Sequence, residues 1–126
     1  MVIPEGLKYT KEHEWVKIEG DLAIVGITDY AQGELGDVVF VELPAIGKTV
    51  KQMEAFGTIE AVKAVSEMFS PVSGTVKEVN KNLEKDSSAI NKDPYGAGWM
   101  VKLEKFAAAE IANLLDANAY KKLLED

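Results

Sequence analysis

Lys63 is the side chain best placed to do chemistry. It stands alone between Ala61-Val62 and Ala64-Val65, whereas nearly every other lysine has polar neighbours. Small and β-branched residues on both sides read as two strands joined by a very short turn, with Lys63 at its tip. Gly57 permits a bend or a close backbone approach before it, and Ser70-Pro71 with Gly74 marks turns after it. A tight turn pushes its tip residue into water, so this lysine is presented rather than packed. A solvated amine keeps its proton and makes a poor Schiff-base former. Acylation is the chemistry left to it: the charge is lost and a flexible arm is gained. The ordinary alternative is a solvated surface lysine.

The acids are the second set. Glu12 and Glu14 flank His13, Glu60 and Glu67 flank Lys63, and Glu34, Asp37 and Glu42 lie between these groups in the chain, near an expected short helix and central strand. Paired carboxylates act as acid and base only at fixed separation in a dry cleft, which spacing alone does not supply. His13 as a general base is equally unsupported. Attraction of a cation suits the net charge of -7 better. That charge argues against nucleic acid. With no cysteine and one histidine, cysteine-ligated and multi-histidine metal sites are excluded. No phosphate-binding glycine loop occurs, and no apolar run approaches a membrane span.

The elements that position these residues are mostly strands. The 126 residues, 47% hydrophobic, suit one domain with one core. Residues 1–14 read as an extended lead. Trp15 to Ile18 and Leu22 to Ile27 form a hairpin about Glu19-Gly20-Asp21, and Gly26 bends its second strand. Thr28 caps a short helix over 29–35 that Gly36 closes. Asp37 to Leu43 reads as a strand buried on more than one side or as a twisted strand in a sandwich core, and Thr49 to Met53, Ala55 to Ala61, Ala64 to Phe69 and Thr75 to Val79 follow. Residues 80–91 read as loop anchored by Leu83 and Ile90. Trp99, Val101 and Leu103 share one face of a last strand. From Ala107 the apolar spacing turns helical, giving two short helices or one kinked helix that seals a sheet edge. The aromatic residues read mostly as core. Gly47-Lys48-Thr49-Val50 and Gly74-Thr75-Val76 form a weak echo, expected on opposite sheets. The fold expected is a small mostly-β sandwich or flattened barrel.

Five stretches together resemble the H-protein family of the glycine cleavage system: GLKYTKEHEWV at 6–16, GITDYAQGELGDVVFVELP at 26–44, GTIEAVKA at 57–64, SPVSGTVKEVN at 70–80 and DPYGAGWMVKL at 93–103. The hairpin lysine alone is less specific, since biotin carriers share it. Those usually place methionine on both sides, where Val62 and Ala64 stand here. The resemblance implies a flattened β-sandwich of the barrel-sandwich, lipoyl- and biotinyl-carrier type, one carrier domain over 1–126 with a C-terminal helical segment over 107–124. It implies lipoic acid on Lys63 and a shuttle rather than an enzyme. The partners implied are the pyridoxal-phosphate glycine decarboxylase (P protein), the tetrahydrofolate-dependent aminomethyltransferase (T protein), dihydrolipoyl dehydrogenase (L protein), and a lipoate ligase or lipoyl/octanoyl transferase.

By the same resemblance Glu14 and Glu67, with Glu12 nearby, line a cleft that holds the loaded arm's amine. Ala61 stands where the family often has serine, and Glu67 where a shorter acid occurs. An H-like carrier serving mainly as lipoyl donor and an unmodified interaction module are the alternatives. The lack of a transit segment suits a bacterial cytoplasm more than a processed mitochondrial matrix protein, and a small acidic shuttle is expected to be monomeric.

Overall fold

The computed structural model describes residues 1–125. Two antiparallel sheets face each other across one core. The larger is built from β1 (Lys8–Tyr9), β2 (Glu14–Glu19), β3 (Leu22–Ile27), β5 (Thr49–Val50), β8 (Gly74–Val79) and β9 (Val101–Glu104), in the order β1-β2-β3-β9-β8-β5. The smaller contains β4 (Val38–Glu42), β6 (Ala55–Ala61) and β7 (Val65–Phe69), in the order β4-β6-β7. Alternation along each strand sends one set of side chains inward. Val16, Val25, Val76, Val101 and Leu103 meet Val41, Ile59 and Met68 from the opposite sheet. This is the flattened β-sandwich expected.

The helix α1 (Asp29–Leu35) forms where the sequence places it. The Thr28 side chain accepts from the Ala31 N–H, and Gly36 leaves the helix at φ 76°. Seven residues make two turns, too few to persist alone, so Ala31 and Leu35 lean on the core. Residues 80–91 are not all loop. They hold two one-turn helices, α2 (Asn82–Lys85) and α3 (Ala89–Lys92), whose buried residues are the anchors Leu83 and Ile90.

Several expectations change. The extended lead over residues 1–14 is partly sheet, because Tyr9 pairs with Trp15 as part of β1 and β2 already begins at Glu14. Of the two readings of β4, the sandwich strand holds and burial on more than one side does not: Val38 and Val41 point inward, while Val39 and Phe40 are more than half exposed. A bulge between Val38 and Phe40 puts the inward residues three apart, which disguises the alternation as a continuous apolar run. The strand expected through Met53 stops at Val50. The chain turns at Lys51–Glu54, with Met53 at φ 64° and its N–H on the Ser70 carbonyl. The two glycine-valine echoes lie on one sheet, not two, with Thr49 paired to Thr75. Trp99 precedes β9 and packs with the second apolar cluster, so it does not share the inward face of Val101 and Leu103. Phe40 is surface, not core.

That second cluster covers the outer face of the larger sheet. Tyr9, Trp15 and Gly26 lie side by side across β1, β2 and β3. A Cβ on Gly26 would sit 2.7 Å from the Trp15 ring, so this glycine makes room for an indole instead of bending the strand. The C-terminal segment splits in two, as the spacing allows: a 3-10 helix over Ala108–Asn113 and α4 (Ala117–Glu125). Between them Leu115 exchanges two 2.8 Å backbone hydrogen bonds with Tyr9, closing the exposed edge of β1. α4 then lays Tyr120 flat on Tyr9, with ring centroids 4.7 Å apart.

Candidate functional site

Lys63 occupies the middle of a three-residue tip between β6 and β7. Ala61 donates to the Ala64 carbonyl at 2.8 Å and closes the turn. Val62 donates to the Asp37 carbonyl at 3.0 Å, which pins the turn to the start of β4. The tip itself is exposed, and so are Val62 and Val65. The backbone is held and the side chain is free, which is what presentation to another protein requires. The lysine stem runs beside Gly36, where an added Cβ would lie 3.3 Å from Lys63 Cε. A glycine there keeps a side chain out of the lysine's path. The tip therefore suits an acyl arm that must leave the surface and return to it.

A cleft of about 320 Å³ opens between α1, β7 and the turn before β2. Glu12, Glu14 and Glu67 all line it, so the structure brings the three acids together. Ile27, Ile59 and Met68 supply apolar lining. The cleft also reaches Glu34 and Leu35, the residues just before the Gly36 that borders Lys63. Lysine and cleft thus meet at the C-terminal end of α1. Glu60, which also flanks Lys63 in sequence, lies outside the cleft lining, opposite Val65 and exposed.

The acids differ in kind. Glu12 and Glu67 are exposed. Glu14 is 2% exposed and engages both oxygens. The Thr10 hydroxyl donates to Oε1 at 2.5 Å, and the Phe69 N–H, on β7, donates to Oε2 at 3.2 Å. Burial pushes the Glu14 carboxyl up to about 7, against those two hydrogen bonds, which favour the ionised form. Such a group changes charge readily near neutral pH. A cation entering the cleft would favour its ionised form, and each oxygen retains capacity for another hydrogen bond.

Three further groups line the cleft: His13, which the sequence sets between Glu12 and Glu14 without a defined role, and Tyr30 and Ser66, which residue types and spacing did not reveal. His13 adopts φ 73° and its ring lies 4.7 Å from that of Tyr30. Its Nδ1 is 2.8 Å from the Tyr120 hydroxyl on α4. Burial holds its pKa below the usual histidine value, although Glu12 and Glu34 pull the other way. The only available signal was the position of His13 between the two acids; its link to Tyr120 spans 107 residues. Among the described residues no group of three or more metal-ligating side chains converges, and no helix is long and apolar enough to cross a membrane.

Known proteins resemble this chain over nearly its whole length. The family model described as "Glycine cleavage H-protein" matches residues 7–126. The chain is 53% identical over 124 residues to the glycine cleavage system H protein of Bacteroides fragilis, covering 98% of each. It is 58% identical over 118 residues to that of Symbiobacterium thermophilum, covering 94% of this chain and 92% of the relative. The crystal structure of a glycine cleavage system H protein from Mycobacterium marinum superposes with a TM-score of 0.88 at 39% identity, covering 98% of this chain and 100% of the other. The match runs through the hairpin, the cleft and both sheets, and the chain belongs to the glycine cleavage H-protein family.

Proposed function

We propose that Lys63 is the lipoyl attachment site of this carrier and that the acidic cleft at the end of α1 receives the loaded arm. Members of the family are carriers in glycine cleavage, not catalysts, and hold lipoate on a lysine. When bound, the lipoyl group supplies the disulfide that accepts an aminomethyl unit and the dithiol that is reoxidised afterwards. The rest falls to the chain. The observation that carries the assignment is the meeting of an exposed, backbone-pinned lysine with a three-carboxylate cleft at one end of α1.

Glu14 and Glu67 hold the protonated amine, with Glu12 at the rim. Glu14 ionises as the cation arrives, so the attraction is gained at contact rather than spent on holding a bare buried charge beforehand. Exclusion of water by the apolar lining strengthens the contact.

Glycine cleavage membership implies the P, T and L proteins as partners in general. Our further reading is that a lipoate ligase or lipoyl/octanoyl transferase modifies the tip. We read the chain as one carrier domain over 1–126, monomeric and resident in a bacterial cytoplasm. The bacterial origin of the relatives supports the last point.

Intact mass with peptide mapping, after incubation with lipoate, ATP and a lipoate ligase, tests the attachment. One lipoyl increment on Lys63, lost in Lys63→Arg, is expected. A folded protein that takes no increment from an active ligase would instead be an unmodified module. For the cleft, Glu14→Gln with Glu67→Gln should shorten the lifetime of the loaded arm; an unchanged lifetime would remove these acids from the role.

A further inference from the structure

The C-terminal helix reaches the cleft through one chain of hydrogen bonds. Thr28 Oγ1 is 2.7 Å from the Tyr120 hydroxyl, which is 2.8 Å from His13 Nδ1. Thr28 is fully buried. Its hydroxyl already accepts from the Ala31 N–H at 3.2 Å, and the Tyr120 oxygen is the one acceptor within reach of its proton among the described residues. A buried hydroxyl proton without an acceptor is costly. Thr28 therefore donates to Tyr120. The Tyr120 proton must then go to His13 Nδ1, which has to be the unprotonated nitrogen. The histidine proton is left on Nε2, which makes no hydrogen bond within the chain and is not buried.

We propose that Tyr120 is a positioning residue which fixes the His13 tautomer, so that the cleft wall presents an N–H donor and no basic nitrogen. This rests on the carrier reading above and concerns how the loaded arm survives. The arm ends in a protonated amine on a sulfur-bound carbon. Loss of that proton frees the nitrogen lone pair to break the carbon–sulfur bond, with sulfur taking the bonding electrons. Addition of water then gives the thiol, formaldehyde and ammonia. A basic imidazole nitrogen beside the amine would start this loss. Glu12, Glu14 and Glu67 can hold the proton in place, and the fixed tautomer keeps the histidine from taking it.

The groups around the ring agree with this assignment. Glu12 and Glu14 adjoin it in the chain, Tyr30 and Glu34 approach from α1, Glu67 lines the cleft from β7, and Tyr120 approaches from α4. The acids favour an imidazolium, yet burial outweighs them. The hydrogen-bond chain adds a reason: protonating Nδ1 would turn the Tyr120 proton back towards Thr28 and strand the Thr28 proton.

Because His13 is the single histidine, its ring nitrogens can be read without ambiguity by 15N–1H correlation NMR. In the unlipoylated protein near neutral pH, Nε2–H should dominate. Tyr120→Phe keeps the stacking on Tyr9 while removing the hydroxyl; it should yield mixed tautomers and a raised histidine pKa. A dominant Nδ1–H form, or a tautomer ratio indifferent to Tyr120→Phe, overturns the assignment. This readout needs no arm, so it stands apart from failure of the lipoylation test. In the aminomethyl-loaded protein, Tyr120→Phe should shorten the arm's lifetime several-fold, increasingly so as pH rises through the histidine pKa. Adding His13→Asn should restore it, since asparagine takes no proton and tolerates φ 73°. A lifetime unaffected by Tyr120→Phe, or one the second substitution fails to restore, refutes the protective role.

Discussion

Glu14 carries the largest measurable consequence at the scale of one residue. Its carboxyl titrates near 4.5 when unfolded and is raised to about 7 by burial. The native state therefore binds more protons than the unfolded chain between those values. Stability gained from Glu14 is full below the lower value and is lost as pH rises through the upper one. The shift corresponds to roughly 3 kcal/mol. Urea melts of the unlipoylated protein should show that loss between about pH 4.5 and 7, and Glu14→Gln should remove the Glu14 component of the slope. An identical slope in the variant would mean that Glu14 is solvated in solution. Gly36 makes a second test. At φ 76° and ψ -158°, a region open essentially to glycine alone, and with a Cβ 3.3 Å from Lys63 Cε, Gly36→Ala should cost about 1–3 kcal/mol and slow lipoylation by displacing the lysine stem. A ligase rate equal to wild type would show that the stem has another path. The lysine and the acids were legible in sequence, but as unequal evidence. Isolation among small residues exposed Lys63, whereas only resemblance joined Glu12 and Glu14 to Glu67. A carboxylate's burial depends on strands far apart in the chain, here on the Phe69 N–H 55 residues away.

Pairs of strands divide labour that single-strand patterns hide. Trp15 on β2 faces Gly26 on β3, and the indole lies over the glycine backbone. Gly26→Ala would push a methyl to 2.7 Å from that ring, with no backbone strain to confound the result. Overpacking of this kind costs about 1–3 kcal/mol. A lower urea midpoint with an unchanged m-value is the expected result; no loss would mean that the indole moves aside freely. The same pairing explains what the sequence does and does not disclose. α1, β3 and the β6–β7 hairpin announce themselves through local signals: a capping threonine, a closing glycine and β-branched runs. β4 misleads because one bulge changes its period. β5 misleads because its second half is held by turns, not by a ladder. β1 has almost no local signal, since a two-residue strand forms only when Trp15 and Leu115 bracket it.

At the scale of the whole molecule, charge surrounds the lysine unevenly. The outer face of the three-stranded sheet sets Phe40, Glu60 and Val65 in one row and Glu42, Thr58 and Glu67 in the next. Phe40 and Val65 are exposed there, as is Val62 beside Lys63. Such a face offers apolar contact for docking and acidic groups for steering, on a chain of net charge -7. Rim charges act chiefly on the rate of encounter. Salt should therefore slow lipoylation of Lys63 through kcat/KM while leaving kcat nearly constant, with most of the loss complete by about 0.1 M, where the screening length is near 10 Å. Glu42→Gln with Glu60→Gln should lower kcat/KM at low salt and flatten its salt dependence. Asp21→Asn, in the β2–β3 turn of the other sheet, changes net charge without touching this face. If Asp21→Asn flattened the response as much per charge, net charge alone would govern the encounter. If neither variant did, docking would depend on the apolar side chains, and Phe40→Ala would be the substitution that slows it.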